Sequence, residues 1–165
     1  MTKQQIVFHE DEEEENNKLE KEQQEIVKAE DKQNLIAAVN KSKEPLLKIS
    51  TVFPFDLFPS SLVIDEDRVN IIIKGFIGSE SIHLVMIENI DDVNIQTSLL
   101  FATISIIDKN LPVDKYTIKY LKKQEALKAR RIIGGLMIAK QRNLDISSVD
   151  TPELIKMMEE LGSIA

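Results

Sequence analysis

LVIDEDRVNIIIKGFIGSESIHLVMIENIDDVNIQTSLLFATISI, residues 62–106, decides the fold. Leu62 and Ile64 alternate, Asp65-Glu66-Asp67 interrupts, and Val69, Ile71 and Ile73 alternate again. A two-residue period on both sides of three carboxylates predicts a hairpin. Gly75 and Gly78 bracket Phe76-Ile77 and predict a second turn. Ile82, Leu84 and Met86 alternate on the next strand, which puts His83 on the face opposite theirs. Ile90, Val93 and Ile95 continue across a bulge or bend at Asp91-Asp92. Two further strands are read at 101–107 and 116–121, split by Asp108-Lys109-Asn110-Leu111-Pro112. Six short antiparallel strands predict a meander that curls into a barrel or sandwich.

Outward from this stretch the period changes. In residues 122–143, Ala126, Ala129, Ile132, Ile133, Leu136, Met137 and Ala139 recur at three- and four-residue steps. A stripe this wide predicts an amphipathic helix buried against the sheet. A terminal helix is expected over 152–161, with Thr151 as N-cap, Pro152 in the first turn and Gly162 at its end. Its apolar face is Leu154, Ile155, Met157, Met158 and Leu161. Before the strands, residues 18–39 are rich in Glu, Lys, Gln and Ala and predict a helix with a thin apolar face. Residues 1–17 hold His9 and six consecutive carboxylates, Glu10 to Glu15, and predict a disordered acidic tail. The expected organisation is a tail (1–17), a helix and linker (18–45), a β-rich domain closed by its helix (46–143), and a linker with the terminal helix (144–165).

The net charge is −7, yet residues 122–143 carry seven basic and one acidic residue. One basic segment thus stands in an acidic chain, and any binding to nucleic acid or anionic lipid would be confined to it. The chain has no Cys, hence neither disulfides nor thiolate metal sites. No signal peptide or membrane-spanning run is read, which leads to an expected cytoplasmic location.

The order of strands followed by one amphipathic helix resembles the pleckstrin-homology-like fold. The stretch IHLVMIENIDDVNIQTSLLFATISI (82–106), with its I-x-x-I-x-x-V-x-I spacing, is similar to the middle of bacterial pleckstrin-homology-like domains. FPFDLFPSSLVID (53–65) and KKQEALKARRIIGGLMIAK (122–140) look like parts of small uncharacterised bacterial proteins of that type. The resemblance spans about 47–143 and implies an α+β fold: an antiparallel barrel or sandwich capped by a C-terminal amphipathic helix, with flanking N- and C-terminal helices. Lipid-binding members of the superfamily hold phosphoinositide headgroups with Lys and Arg in the first hairpin loop. Asp65-Glu66-Asp67-Arg68, read as that loop, would repel a polyphosphate, so the lipid chemistry is not carried over.

Neither a nucleophile elbow, a phosphate loop nor a metal-ligand spacing is present, and a non-enzymatic protein without cofactor is expected. His83 lacks a convergent acid or nucleophile and is read as an ordinary strand histidine. Phe53-Pro54-Phe55-Asp56-Leu57-Phe58-Pro59 is read first as a strap plugging an open end of the barrel, and second as an exposed docking strip. Phe76-Ile77 is either an exposed apolar tip or a loop folded back on the barrel. On the basic helix, Leu127, Gly134 and Ile138 form a second, narrow apolar line beside Arg130 and Arg131, with Lys123 and Arg142 also off the main stripe. Gly134-Gly135 lowers helix stability and implies close approach of another backbone. The acidic terminal helix is the expected occupant. The candidate interaction residues are therefore Phe76, Ile77, Leu127, Arg130, Arg131, Gly134 and Ile138. The expected role is an interaction module that binds a protein. The alternative is a peripheral membrane or nucleic-acid binder acting through the basic helix.

Overall fold

The computed structural model describes residues 28, 44–110 and 115–163. The expected acidic tail and N-terminal helix lie outside the described residues, apart from Lys28, as does the Leu111-Pro112 part of the last turn. The chain divides into two compact units, Met1–Lys43 and Glu44–Ala165. The second contains everything below.

It is an α+β structure with two antiparallel sheets and two helices. The first sheet is a meander of β1 (Leu47–Ser50), β2 (Ser61–Ile64), β3 (Arg68–Lys74) and β4 (Glu80–Met86). The second is a meander of β5 (Ile90–Thr97), β6 (Phe101–Asp108) and β7 (Lys115–Lys122). Helix α1 (Lys123–Gln141) follows β7 directly, and α2 (Thr151–Leu161) ends the fold. The sheets do not close into a barrel. They meet at one corner, where Thr51 bridges Leu121 and the Val52 N–H donates to the Tyr120 carbonyl at 3.0 Å.

Seven strands replace the six expected. The additional one, β1, pairs Leu47–Ser50 with Ile64–Ser61 of β2. Its discovery moves the first hairpin loop to 51–60. The Asp65-Glu66-Asp67 turn joins β2 to β3 instead. The break expected at Asp91-Asp92 is present as a register shift between Ile90 and Asp92 of β5.

The core is built from period-two positions on the inner faces of the sheets and from one stripe of α1. Leu62 and Ile64 of β2 lie opposite Ile71 and Val69 of β3, and all four are fully buried. Ile104 and Ile106 of β6 and Leu121 of β7 extend this layer. Ala126, Ala129, Ile132, Ile133, Leu136 and Ala139 of α1 are buried and pack over β5, β6 and the turn at Ile87–Asn89. Each large aliphatic side chain placed there contributes about 1.5–3 kcal/mol. No aromatic residue is among the buried core residues described.

On β4 the alternating apolar set lies on the outer face, with His83 opposite it. Val85 is buried, whereas Ile82 and Leu84 are exposed. His83 points inward from this edge strand and stacks on Tyr116 of β7 at 4.7 Å between ring centroids.

Candidate functional site

Two surfaces stand out, and α2 separates their fates. Helix α2 packs across α1 at the glycine pair. A Cβ on Gly135 would overlap the Met158 carbonyl, and one on Gly162 would overlap the Arg131 carbonyl. Only glycine at both places lets the two backbones approach this closely. Leu154 and Met158 are buried by the contact, and Lys128 Nζ meets Glu159 Oε1 at 2.8 Å. The middle of the second apolar line of α1 is therefore occupied by the chain itself, where Gly134 lies against Gly162; Leu127 and Ile138 at its two ends are half-buried. Arg131 is exposed and Arg130 half-buried. The α2 N-cap is Asp150 rather than Thr151, which is the first helical residue.

The other surface is one end of the two-sheet body. The loops β1–β2 (51–60), β3–β4 (75–79) and β5–β6 (98–100) converge there. Phe55 packs on Phe101 at 4.6 Å and lies 6.4 Å from Tyr120, while Phe58 meets Phe76 edge-on at 5.8 Å. At the loop apices, Phe53 and Leu57 are each 68% exposed, Phe76 73%, Ile77 84%, Leu99 91% and Leu100 67%. The segment 53–59 is thus an exposed strip and not the plug expected, and Phe76-Ile77 is a projecting tip.

These positions are held in place by the backbone. Asp56 accepts hydrogen bonds from the Thr51 hydroxyl at 2.8 Å and from the Phe58 N–H at 3.1 Å. The Ser60 N–H donates to Thr51 Oγ1 at 2.9 Å. This network uses the polar groups of the loop internally and turns its aromatic groups outward. The Ser98 N–H donates to the Phe101 carbonyl at 2.8 Å, which places Leu99 and Leu100 at the two corners of a tight turn. Turn corners ordinarily take Gly, Asn, Asp or Pro. Ile77 has a φ of 57° and Tyr120 a φ of 58°. At Tyr120 the β7 bulge opposite Ala102–Ile104 accounts for the conformation. Ile77 and Gly78, with φ of 57° and 72°, are the two corners of a hairpin turn closed by the Ser79 N–H to the Phe76 carbonyl at 3.4 Å, so the turn sets the backbone and the strain lies in a β-branched residue where Gly or Asn is usual.

The opposite end is polar. Asp65 accepts from the Asn70 side chain at 3.2 Å and pairs with Arg68 at 3.5 Å. The Ile87 N–H donates to the Asp67 carbonyl at 2.8 Å, and Lys109 Nζ donates to the Glu88 carbonyl at 3.0 Å. Among the described residues no group of three or more His, Cys, Asp or Glu is placed to hold a metal ion, and no helix is long and apolar enough to cross a membrane.

Of the residues singled out from the sequence, Phe76, Ile77 and the 53–59 segment lie at this end; Leu99, Leu100, Phe101 and Tyr120, which lie there too, were not singled out. The signal for the first two was available: two leucines in succession after Ser98 at a strand boundary. No family model matches the chain, and no curated protein or solved structure is significantly similar to it.

Proposed function

We propose that this chain is a non-enzymatic interaction module on a pleckstrin-homology-like scaffold, and that it engages its partner through the apolar loop-tip end. One observation carries the reading: no described Phe or Tyr is fully buried, and all but Tyr116, which packs against the core, stand at this end. Aromatic side chains carry the largest apolar areas, and a fold that leaves them on its loops forgoes their burial energy until something covers them. The pleckstrin-homology-like part of the proposal rests on the order of strands and closing helix. The first hairpin loop, 51–60, holds neither Lys nor Arg, which argues against a phosphoinositide clamp. The basic helix is the weaker candidate, because its apolar line is taken by α2.

Photocrosslinking in the producing cell tests the site. Benzoylphenylalanine would be placed at position 76, at 131 on the basic helix, or at 88 in the polar turns. Products are expected from 76 and not from the other two. Products from 131 with none from 76 would overturn the proposal in favour of the basic helix.

A further inference from the structure

We infer that the loop-tip end inserts into the interfacial region of a lipid bilayer, and that it does so by apolar burial rather than by attraction to anionic headgroups. This rests on the assignment of that end as the binding surface.

Three observations point to a lipid surface. First, the apical side chains are knobs. A side chain that lines a groove is partly covered by its walls, whereas Phe76 and Ile77 on one loop and Leu99 on another are largely exposed. A protein partner would need a separate pocket for each knob, since hot-spot residues work inside well-packed pockets. A fluid acyl boundary accepts any arrangement of knobs.

Second, the tips are almost free of charge. Across 51–60, 75–79 and 98–100 the single charged residue is Asp56, and its carboxylate is engaged by Thr51 and the Phe58 N–H. Insertion therefore meets one carboxylate, already held by two donors of its own loop. Lys74 and Lys122 border the tips, but Glu80 lies opposite Lys74 in the β3–β4 register and Glu125 pairs with Lys122 at 2.8 Å. This balanced rim gives no electrostatic reason to prefer an anionic membrane. Binding of an interfacial element scales with buried apolar area plus attraction to anionic lipid, and only the first contribution is provided for here.

Third, Ile77 combines left-handed backbone with near-complete exposure. The chain maintains an unfavourable conformation that places an apolar group at the outermost point of the hairpin. Strain of this kind is retained where it serves a function.

The chain contains no Trp, so Phe76→Trp in the full-length protein provides a single reporter at the tip. The probes are vesicles of phosphatidylcholine alone and of phosphatidylcholine with phosphatidylserine, each at low and high salt. The expected result is a blue shift of emission with both vesicles that persists in high salt, because apolar insertion is not screened. Leu99→Ser with Leu100→Ser, added to the reporter, is expected to weaken partition roughly tenfold or more, in line with the burial energy of two leucines. The thermal melt should be unchanged, which separates lost insertion from lost folding.

The inference is overturned if neither vesicle shifts the emission. It is also overturned if the shift requires phosphatidylserine and disappears in salt. A blue shift without vesicles that grows with protein concentration would assign the tips to a second copy of the chain instead. Crosslinking from position 76 to protein, with the vesicles silent, would end the lipid inference and leave the binding surface intact. Silence in both experiments would end both.

Discussion

The seam between α1 and α2 and the loop-tip end are both apolar surfaces left over after the sheets and α1 have formed their core. The seam is covered by the chain's own helix, and its composition shows it: small residues at the contact, backbone against backbone at Gly135 and Gly162, and an ion pair at the border. The tips show the reverse, with large side chains on separate loops that touch one another, as Phe58 does Phe76, and still stay exposed. A surface made for intramolecular packing is flattened by glycine. One that meets something external is left to project. Substitutions should therefore act oppositely at the two places, costing stability at the seam and little or nothing at the tips.

The largest effect belongs beneath the seam. Ile133→Asp places an unpaired charge in the fully buried face of α1 and is expected to unfold the unit, at a cost of several kcal/mol. Loss of the cooperative thermal transition checks this, and a normal melt would mean that the inner face of α1 is wrongly assigned.

Next comes the seam itself. Deleting residues 150–165 removes the burial of Leu154 and Met158, about 3–6 kcal/mol taken together as an upper estimate. The bared line of α1 should make the truncated protein self-associate in sedimentation velocity. Gly135→Ala sharpens the point. In the full chain it forces α2 away and should destabilise by about 1–3 kcal/mol. In the truncated chain the obstacle is gone, and the same change should stabilise by up to about 1 kcal/mol through helix propensity. A cost of the same sign in both backgrounds would show that Gly135 is needed for something other than α2.

At the tips, Ile77→Asn retains the left-handed backbone at lower strain. It should raise stability by about 1 kcal/mol while weakening vesicle partition. Chemical denaturation and the vesicle assay measure the two changes on the same sample. A loss of stability would show that Ile77 is packed by its own chain and would remove the contrast between tips and seam.

How much of this was legible in the sequence follows from how local each determinant is. The stripe of α1, its glycine pair and the opposite charge of α2 are all written within a few turns of helix, and they led to the seam. Strand β1 was not legible. After Pro45, Leu46 and Leu47 stand side by side, and Leu47 and Ile49 supply only two alternating apolar residues, too few to set a period. Missing it displaced the first hairpin loop onto the Asp65–Asp67 turn. The faces of β4 were ambiguous for another reason. Ile82, Leu84 and Met86 on one face compete with Val85 on the other, and an edge strand with apolar groups on both faces leaves its register to tertiary contacts such as His83 with Tyr116. The outward turn of 53–59 depends on Asp56 reaching Thr51, a bond whose geometry no periodicity encodes. The meetings of Phe55 with Phe101 and of Phe58 with Phe76 required the pairing of both sheets to be known.

The smallest expected effect is at Arg131, and it bears on the comparison most directly. The residue belongs to the basic segment that gives the chain its charge asymmetry, and it is exposed on α1 beside the seam. Its backbone carbonyl is the group that a Cβ on Gly162 would overlap. Replacing the side chain with alanine leaves that carbonyl in place, so Arg131→Ala should change stability by less than about 0.5 kcal/mol. It should also leave the partition of the Phe76→Trp reporter into phosphatidylcholine unchanged, because the tips act without headgroup attraction. The two measurements test different halves of the contrast. A substantial loss of stability would mean that the guanidinium helps hold α2 and that the seam is not carried by backbone approach alone. Weakened partition with a normal melt would mean that the basic face and the apolar tips bind the membrane together, and the separation of the two surfaces would have to be given up.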